Sequence, residues 1–487
     1  MDRAKKIFGN RTSPASYKRA VRAKEWYEKK YGSDENRDFC LAAIPAQTIG
    51  EIMGVRNLIH SGTMDAQFSD KSIIIGSTRT GCGFYRVAIA IASAAHSLGY
   101  EPFWFDLDSF QDSVCGKIIG RQNKLYSFGK ILSQKNRVFS SAPCYPLGSA
   151  TFRSIGWNAV DQKVTELMTA VYKSLPKDIP FIASHVWAAQ AAVHAGIKNV
   201  VNAVPDSLPL SVNLAEGALH TVQTQSAYLG YRTLHGMDPQ KPLRPMPADA
   251  VKYAGHFVDH EIVSNILSDC RRRVERIRKG EPRRWLISLC ETRMNQELLI
   301  TAIRRLMPEI RCEKAALVID AGDDMAALDF LYTAIPEMRE IVCEHFDDFS
   351  DTAYFAASTL DGAMTGLHVF YHSDIFPAVY ATNVLMRTCD ILMTTPCELA
   401  YYPVPKLIVS STDGQDCGGA ARSLEVGDGT YECKTSAETD AMLRLMQYSG
   451  DVTANMCRAI VRANKASVYS GAYATVRMAI SHGITVK

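Results

Sequence analysis

A strand, a glycine-rich loop, a helix and a second strand follow one another directly in this chain, and that succession leaves it few folds. Ser72-Ile73-Ile74-Ile75 is a short run rich in β-branched residues, as a buried strand would be. Gly76 to Gly83 reads as a loop. Phe84 to Leu98 carries Ala and Ile at helical spacing, and Gly99 stands where a helix C′ residue would. Pro102 to Leu107 is the next strand. The alternation resumes with a strand at Pro180–Ser184, a helix to Ala195-Gly196 and a strand at Asn199–Val204. Strands alternating with helices imply parallel pairing and an α/β fold.

A second alternating series follows a break. Pro239, Pro242, Pro245 and Pro247 mark a connecting segment, since proline blocks both helix and ladder bonding. A basic helix comes next, with Arg271, Arg272, Arg273, Arg276, Arg278 and Lys279, stopped by Gly280 and Pro282. Trp285–Leu289 then opens strands near Ala315–Asp320, Gly366–Tyr371, Ile391–Thr394 and Lys406–Val409. The expected organisation is a basic helical segment at 1–70, a Rossmann-like lobe at 71–245, a linker with the basic helix at 246–282, and a second Rossmann-like lobe with C-terminal helices at 283–487. The expected fold class is therefore α/β, two Rossmann-like lobes with a cleft between them. Ligands of such sheets sit beyond the carboxyl ends of the strands.

Composition narrows the functional classes. The 54 basic and 51 acidic residues leave a net charge of +3, too balanced for nucleic acid to be the main partner. The longest largely apolar run, Val87 to Ala95, is well short of the ~18–20 residues of a membrane span. Behind Met1-Asp2-Arg3 there is no apolar core of a secretory signal. The 13 cysteines form no CxxC pair, and dispersed thiols fit a reducing, cytoplasmic setting. The first thirty residues hold ten Lys/Arg against Asp2, Glu25 and Glu28. Ser16 to Lys30 reads as a basic helix, either solvated or in peripheral contact with an anionic membrane surface.

Three segments could carry chemistry. The loop Gly76-Ser77-Thr78-Arg79-Thr80-Gly81-Cys82-Gly83 is nearly a P-loop, but Cys82 stands where the lysine is required. It is nearly a dinucleotide fingerprint too, with Asp106 placed as a ribose acid, but Arg86 replaces the third glycine. It reads equally as an amide cradle at a helix N-terminus or as a plain tight turn. In Thr394-Thr395-Pro396-Cys397-Glu398, Pro396 suits a first helical turn and Glu398 could take two ribose hydroxyls, or be a surface acid favoured by the helix dipole. In Asp413-Gly414-Gln415-Asp416-Cys417-Gly418-Gly419, Gln415 and Asp416 could bind sugar hydroxyls, or serve turn chemistry. His185 and Asp206 each follow a strand end. His368 and His372 lie four apart near Asp374, and on a strand would share a face, with no further metal ligands evident.

Taken together, these pieces resemble the bilobal GT-B glycosyltransferases. The monogalactosyldiacylglycerol synthases and the lipid-linked N-acetylglucosaminyltransferase of peptidoglycan synthesis are the nearest look-alikes. Gly76 to Gly83 is similar to their acceptor-side loop. Asn202 to Asp206, then Leu219 to Gln225, is similar to the end of their first lobe. Cys389 through Glu398 to Pro405 resembles their donor-binding strand and helix, and Asp413–Asp416 with Glu425–Thr430 the loop and helix end that follow. The run from Glu398 to Lys406, ELAYYPVPK, also resembles that of a divergent branch with no activity attached. Two positions depart from the pattern. Phe84-Tyr85-Arg86 stands where those enzymes place a histidine, and Cys290 to Gln296 lacks the glycines of their pyrophosphate loop.

The resemblance implies transfer of a sugar from a nucleotide-sugar donor to an acceptor hydroxyl, the acceptor unknown and on this likeness lipid-linked, with no metal and no cofactor. In that reading Glu398 holds the donor ribose and Thr395 lines the donor site. Gln415 and Asp416 contact the sugar, and Arg293 or Arg387 offsets the pyrophosphate charge. Gly81, Cys82 and Gly83 shape the acceptor side, and Asp206 and His185 are the candidate bases. A non-catalytic binding protein, a sugar-nucleotide epimerase and a dinucleotide-dependent oxidoreductase are the alternatives.

Overall fold

A computed structural model describes residues 2–62, 66–79, 81–135, 154–238, 241–289, 294–412 and 418–482. The chain forms two compact units, Met1–Asp259 with Ser470–Lys487, and His260–Tyr469. Each is a Rossmann-like α/β unit, the fold class expected from the sequence.

In the first unit a small antiparallel pair, Lys6–Ile7 with Asn10–Arg11, precedes helix α1 (Pro14–Tyr31) and strands β1 (Cys40–Pro45) and β2 (Arg56–Ser61). Strand β3 (Ser72–Ser77), helix α2 (Cys82–Ser97) and strand β4 (Glu101–Asp106) form the unit predicted first. After helices α3 (Val114–Lys135) and α4 (Ile155–Thr165) come β5 (Phe181–Ala183), α5 (Val186–His194), β6 (Val200–Ala203), β7 (Leu219–Val222), α6 (Gln225–Thr233) and β8 (Val251–Tyr253). The sheet order is β8-β7-β6-β5-β3-β4-β2-β1, parallel except at the β1–β2 edge. Ile73, Ile74 and Ile75 are fully buried, which is why that strand has no polar face. At Gly76 an added Cβ would lie 2.6 Å from the Phe181 ring, so the residue allows β3 and β5 to pack.

The second unit begins with α7 (His260–Lys279) and β9 (Arg283–Ser288). It continues through α8 (Gln296–Arg311), β10 (Ala315–Asp320), α9 (Met325–Ala334), β11 (Val342–Phe346), α10 (Phe349–Asp361) and β12 (Gly366–Tyr371). Then come α11 (Ile375–Thr388), β13 (Ile391–Thr394), β14 (Lys406–Ile408), α12 (Gly419–Val426), α13 (Ser436–Tyr448) and α14 (Gly450–Lys465). All six strands are parallel, in the order β11-β12-β10-β9-β13-β14. The chain then returns to the first unit as α15 (Gly471–His482), where Asn199 Nδ2 donates to Ala479 O and Thr475 to the Thr221 hydroxyl.

The domain limits differ from those expected. Residues 1–70 are no separate segment, because β1 and β2 complete the first sheet. On α1, Ala20 is buried, Tyr17, Tyr27 and Tyr31 pack on the core, and Lys24 pairs with Glu166 at 2.7 Å. Its apolar side therefore rests on protein. Within 246–282, β8 belongs to the first sheet and α7 to the second unit. Two arginines of α7 have structural work: Arg273 donates to Met386 O and Cys389 O, and Arg276 pairs with buried Asp390 at 2.8 Å. They cap the end of α11 and anchor the start of β13. Among the described residues no helix is long and apolar enough to cross a membrane.

Candidate functional site

An open parallel sheet binds ligands where neighbouring strands send their connections in opposite directions. In the second unit that point falls between β9 and β13, since β9 leads to β10 on one side while β13 continues to β14 on the other. Thr394 ends β13 and Thr395 is buried at its carboxyl end. Helix α8 starts beyond β9, with the Asn295 side chain accepting from the Glu297 N–H at 3.0 Å. Met294 bridges to Ser411, and the Asn295 N–H donates to Ser410 O at 3.1 Å.

Helix α12 meets the same edge by a close approach. A Cβ on Gly419 would lie 2.8 Å from the Pro396 backbone and 2.9 Å from the Ala400 Cβ. Only glycine lets the start of α12 sit on the 396–400 segment, where the Ser423 hydroxyl donates to Ala400 O at 3.1 Å. The Thr394–Glu398 run and Gly419, the last residue of the Asp413–Gly419 motif, are thus brought together. Glu398 is half-buried and begins a single 3-10 turn, Glu398–Tyr401, rather than the helix expected after Pro396. Pro403 and Pro405 leave no room for a longer helix before β14.

Arg387 does not join this group. It lies in the last turn of α11, at the opposite, amino edge of the sheet, where Nε donates to Asp269 at 3.1 Å and Nη1 to Glu261. Its charge is spent tying α11 to α7, so the pyrophosphate role expected for it is withdrawn. Arg293, Gln415 and Asp416 lie outside the described residues.

The first unit has its own switch point, between β3 and β5. There the Ser184 hydroxyl donates to Ser77 Oγ at 3.0 Å. Gly81 takes φ +93° as the N-cap of α2, a value that favours glycine, and buried Cys82 and then Gly83 open the helix. Arg79 Nε and the Tyr85 hydroxyl donate to Asp106 Oδ2 at 2.9 and 2.6 Å, and the Asp108 N–H to Oδ1 at 3.0 Å. A carboxylate so engaged does not serve as the ribose acid of a dinucleotide site.

His185 caps α5. Its Nδ1 accepts from the Trp187 N–H at 3.2 Å, so the neutral ring carries its proton on Nε2. Burial pushes its pKa down to about 4. Phe84 meets the ring edge-on, 4.7 Å between centroids. At neutral pH Nε2 therefore carries the ring proton, a form in which it donates rather than takes up a proton. Asp206 follows β6 and accepts from Asn213 Nδ2 at 2.7 Å, and burial raises its pKa. Asn213 also lies 3.2 Å from the Tyr231 hydroxyl. Neither partner was evident in the sequence: Asn213 ends a 3-10 turn and Tyr231 sits in α6, with no motif around either.

Comparisons with known proteins bear on the whole chain. Residues 6–233 match the model described as Domain of unknown function (DUF6937), and residues 246–480 the one described as Domain of unknown function (DUF6938). No curated protein matches in sequence. Among solved structures, a UDP-GlcNAc 2-epimerase from Neisseria meningitidis bound to UDP-GlcNAc is 9% identical, with TM-score 0.42, covering 82% of this chain and 98% of its own. An alpha,alpha-trehalose 6-phosphate synthase from Burkholderia multivorans is 12% identical, TM-score 0.42, covering 84% and 98%. A glycosyltransferase from Rickettsia africae is 10% identical, TM-score 0.41, covering 86% and 100%. No residue role is carried over from any of them.

Proposed function

We propose that this protein binds a nucleotide-sugar on its second unit and transfers the sugar to an acceptor hydroxyl. The observation that supports this is the meeting of Thr395, Glu398 and the start of α12 at the β9–β13 switch point. A carboxylate there suits two ribose hydroxyls, and the positive ends of the α8 and α12 helix dipoles suit a diphosphate. Arg293 supplies charge to the leaving diphosphate, while Gln415 and Asp416 hold the sugar. On the first unit Gly81 and Gly83 shape the acceptor side. Asp206, its pKa raised by burial, is the candidate base, and His185 donates from Nε2. A lipid-linked acceptor is the finer form of this reading.

Calorimetric titration with UDP, GDP, UDP-sugars and NAD(H) tests it. A nucleoside diphosphate is expected to bind at micromolar strength, about -8 kcal/mol. Glu398→Ala is expected to weaken that binding at least tenfold. Silence across the nucleotides, or a response to NAD(H) alone, overturns the reading.

A further inference from the structure

The outer strands of the second sheet carry a ligand cluster apart from the nucleotide site, with β10 and β9 lying between it and β13. Cys343 and His345 stand two apart on β11 and share a face. His368 on β12 is the direct register partner of Cys343. The Cys343 Sγ and one ring nitrogen each of His345 and His368 lie within 4.8 Å of one another.

The hydrogen bonds on the far side of each ring fix its protons. His345 Nδ1 faces the Asp351 carboxylate, which can only accept, so Nδ1 carries hydrogen. His368 Nε2 lies 3.0 Å from Thr365 O, which can only accept, so Nε2 carries hydrogen. A neutral ring has one such proton. The remaining nitrogens, His345 Nε2 and His368 Nδ1, are then bare lone pairs facing each other at 3.2 Å. They need a cation or an extra proton. Two nitrogens on a tetrahedral zinc, each about 2.0–2.1 Å from the metal, stand about 3.3–3.4 Å apart. A carboxylate on one outer nitrogen and a carbonyl on the other is also how metal-bound histidines are oriented. The rings are held in place: His345 stacks on Phe370 at 4.3 Å and 6°, and His368 leans on Phe355 at 4.6 Å.

We propose that Cys343, His345 and His368 bind one divalent ion of the zinc type, the fourth position left to solvent beside exposed Cys343. Thiolate and imidazole together select such a borderline-soft ion over magnesium or calcium. A proton shared by the two rings is the competing occupant, and it would make no use of the sulphur.

The test is titration of the chelator-stripped, full-length protein with Co2+, then with Zn2+. One equivalent of Co2+ is expected to give a thiolate-to-cobalt charge-transfer band with tetrahedral d–d absorption, both displaced by Zn2+. Cys343→Ser, a change at an exposed position, is expected to abolish the charge-transfer band. His368→Ala is expected to cost at least 100-fold in affinity. Asp351 is a positioning residue, so Asp351→Asn is expected to keep the spectrum and weaken binding 10–100-fold. If His368→Ala fails to fold, as circular dichroism would report, Cys343→Ser decides. Absence of the band in the wild type, or an unchanged band in Cys343→Ser, overturns the proposal.

Discussion

Lys406 Nζ stands 2.8 Å from Asp428 Oδ2, with both side chains withdrawn from water. The ammonium also donates to Tyr402 O and Val404 O at 2.8 and 3.0 Å, and the Tyr469 hydroxyl reaches Asp428 Oδ2 at 2.8 Å. The ELAYYPVPK run therefore ends in a buried cation that closes the turn after Glu398 and ties β14 to the segment beyond α12. Its last residue is structural, whatever Glu398 does.

Lys406→Met would leave Asp428 buried without its cation. Breaking one partner of such a pair costs about 3–5 kcal/mol. Denaturant unfolding of the second unit is expected to show a loss of that size. Adding Asp428→Asn to Lys406→Met should recover part of it, because the stranded charge is gone.

Gly419→Ala probes the contact of α12 with Pro396. A methyl group would meet main-chain atoms, which cannot rotate away, so α12 must move. Overpacking of this kind costs about 1–3 kcal/mol. Nucleoside diphosphate affinity is expected to fall with it. Unchanged affinity would separate α12 from the nucleotide.

The core of each sheet was readable because its strands carry unbroken apolar runs. Ala315–Asp320, Gly366–Tyr371 and Ile391–Thr394 lie where the sequence placed them. β11 was not, since Val342-Cys343-Glu344-His345-Phe346 is an edge strand whose polar residues break any apolar run. The Cys343–His368 pairing it makes joins residues 25 positions apart and leaves no local spacing to recognise. Residues 1–70 misled for a different reason. The charge of α1 hides a face whose tyrosines pack on the core, β1 ends in a proline, and β2, RNLIHS, is of mixed polarity. Arg387 looked available because sequence gives a side chain's charge but not the edge of the sheet it occupies. Gly419 and Glu398 were visible as residues, and the Gly419–Pro396 contact shows that they belong to one place.

His220 sets an acid limit for the first unit. It is fully buried, with Nε2 accepting from the Ala215 N–H at 3.0 Å and Nδ1 facing Ala250 O at 3.0 Å. Burial pushes its pKa down to about 4. The unfolded chain takes the proton from about pH 6.5 downward, the folded chain only near 4. Stability present at neutral pH is therefore lost as pH falls through that window, by up to about 1.4 kcal/mol per pH unit. His194, also pushed down to about 4 by burial, adds to the same slope. His220→Gln removes one titrating group. Urea unfolding from pH 7 to pH 4.5 is expected to show a shallower decline in the variant than in the wild type.

His185 yields the sharpest test of how the first unit works. Nitrogen-15 spectra are expected to show its proton on Nε2 at neutral pH, with protonation of Nδ1 only near pH 4, because Nδ1 is held by the Trp187 N–H. A donor role makes the substitutions unequal. His185→Gln keeps an N–H and is expected to retain more transfer activity than His185→Ala. Asp206→Asn removes the proposed base and is expected to lose activity by 10²–10⁴-fold with nucleotide affinity intact. The acidic limb of the rate profile should then follow Asp206, whose pKa burial raises, and should persist in His185→Gln. A limb that disappears with His185 would return the base to the histidine and overturn the tautomer assigned to it.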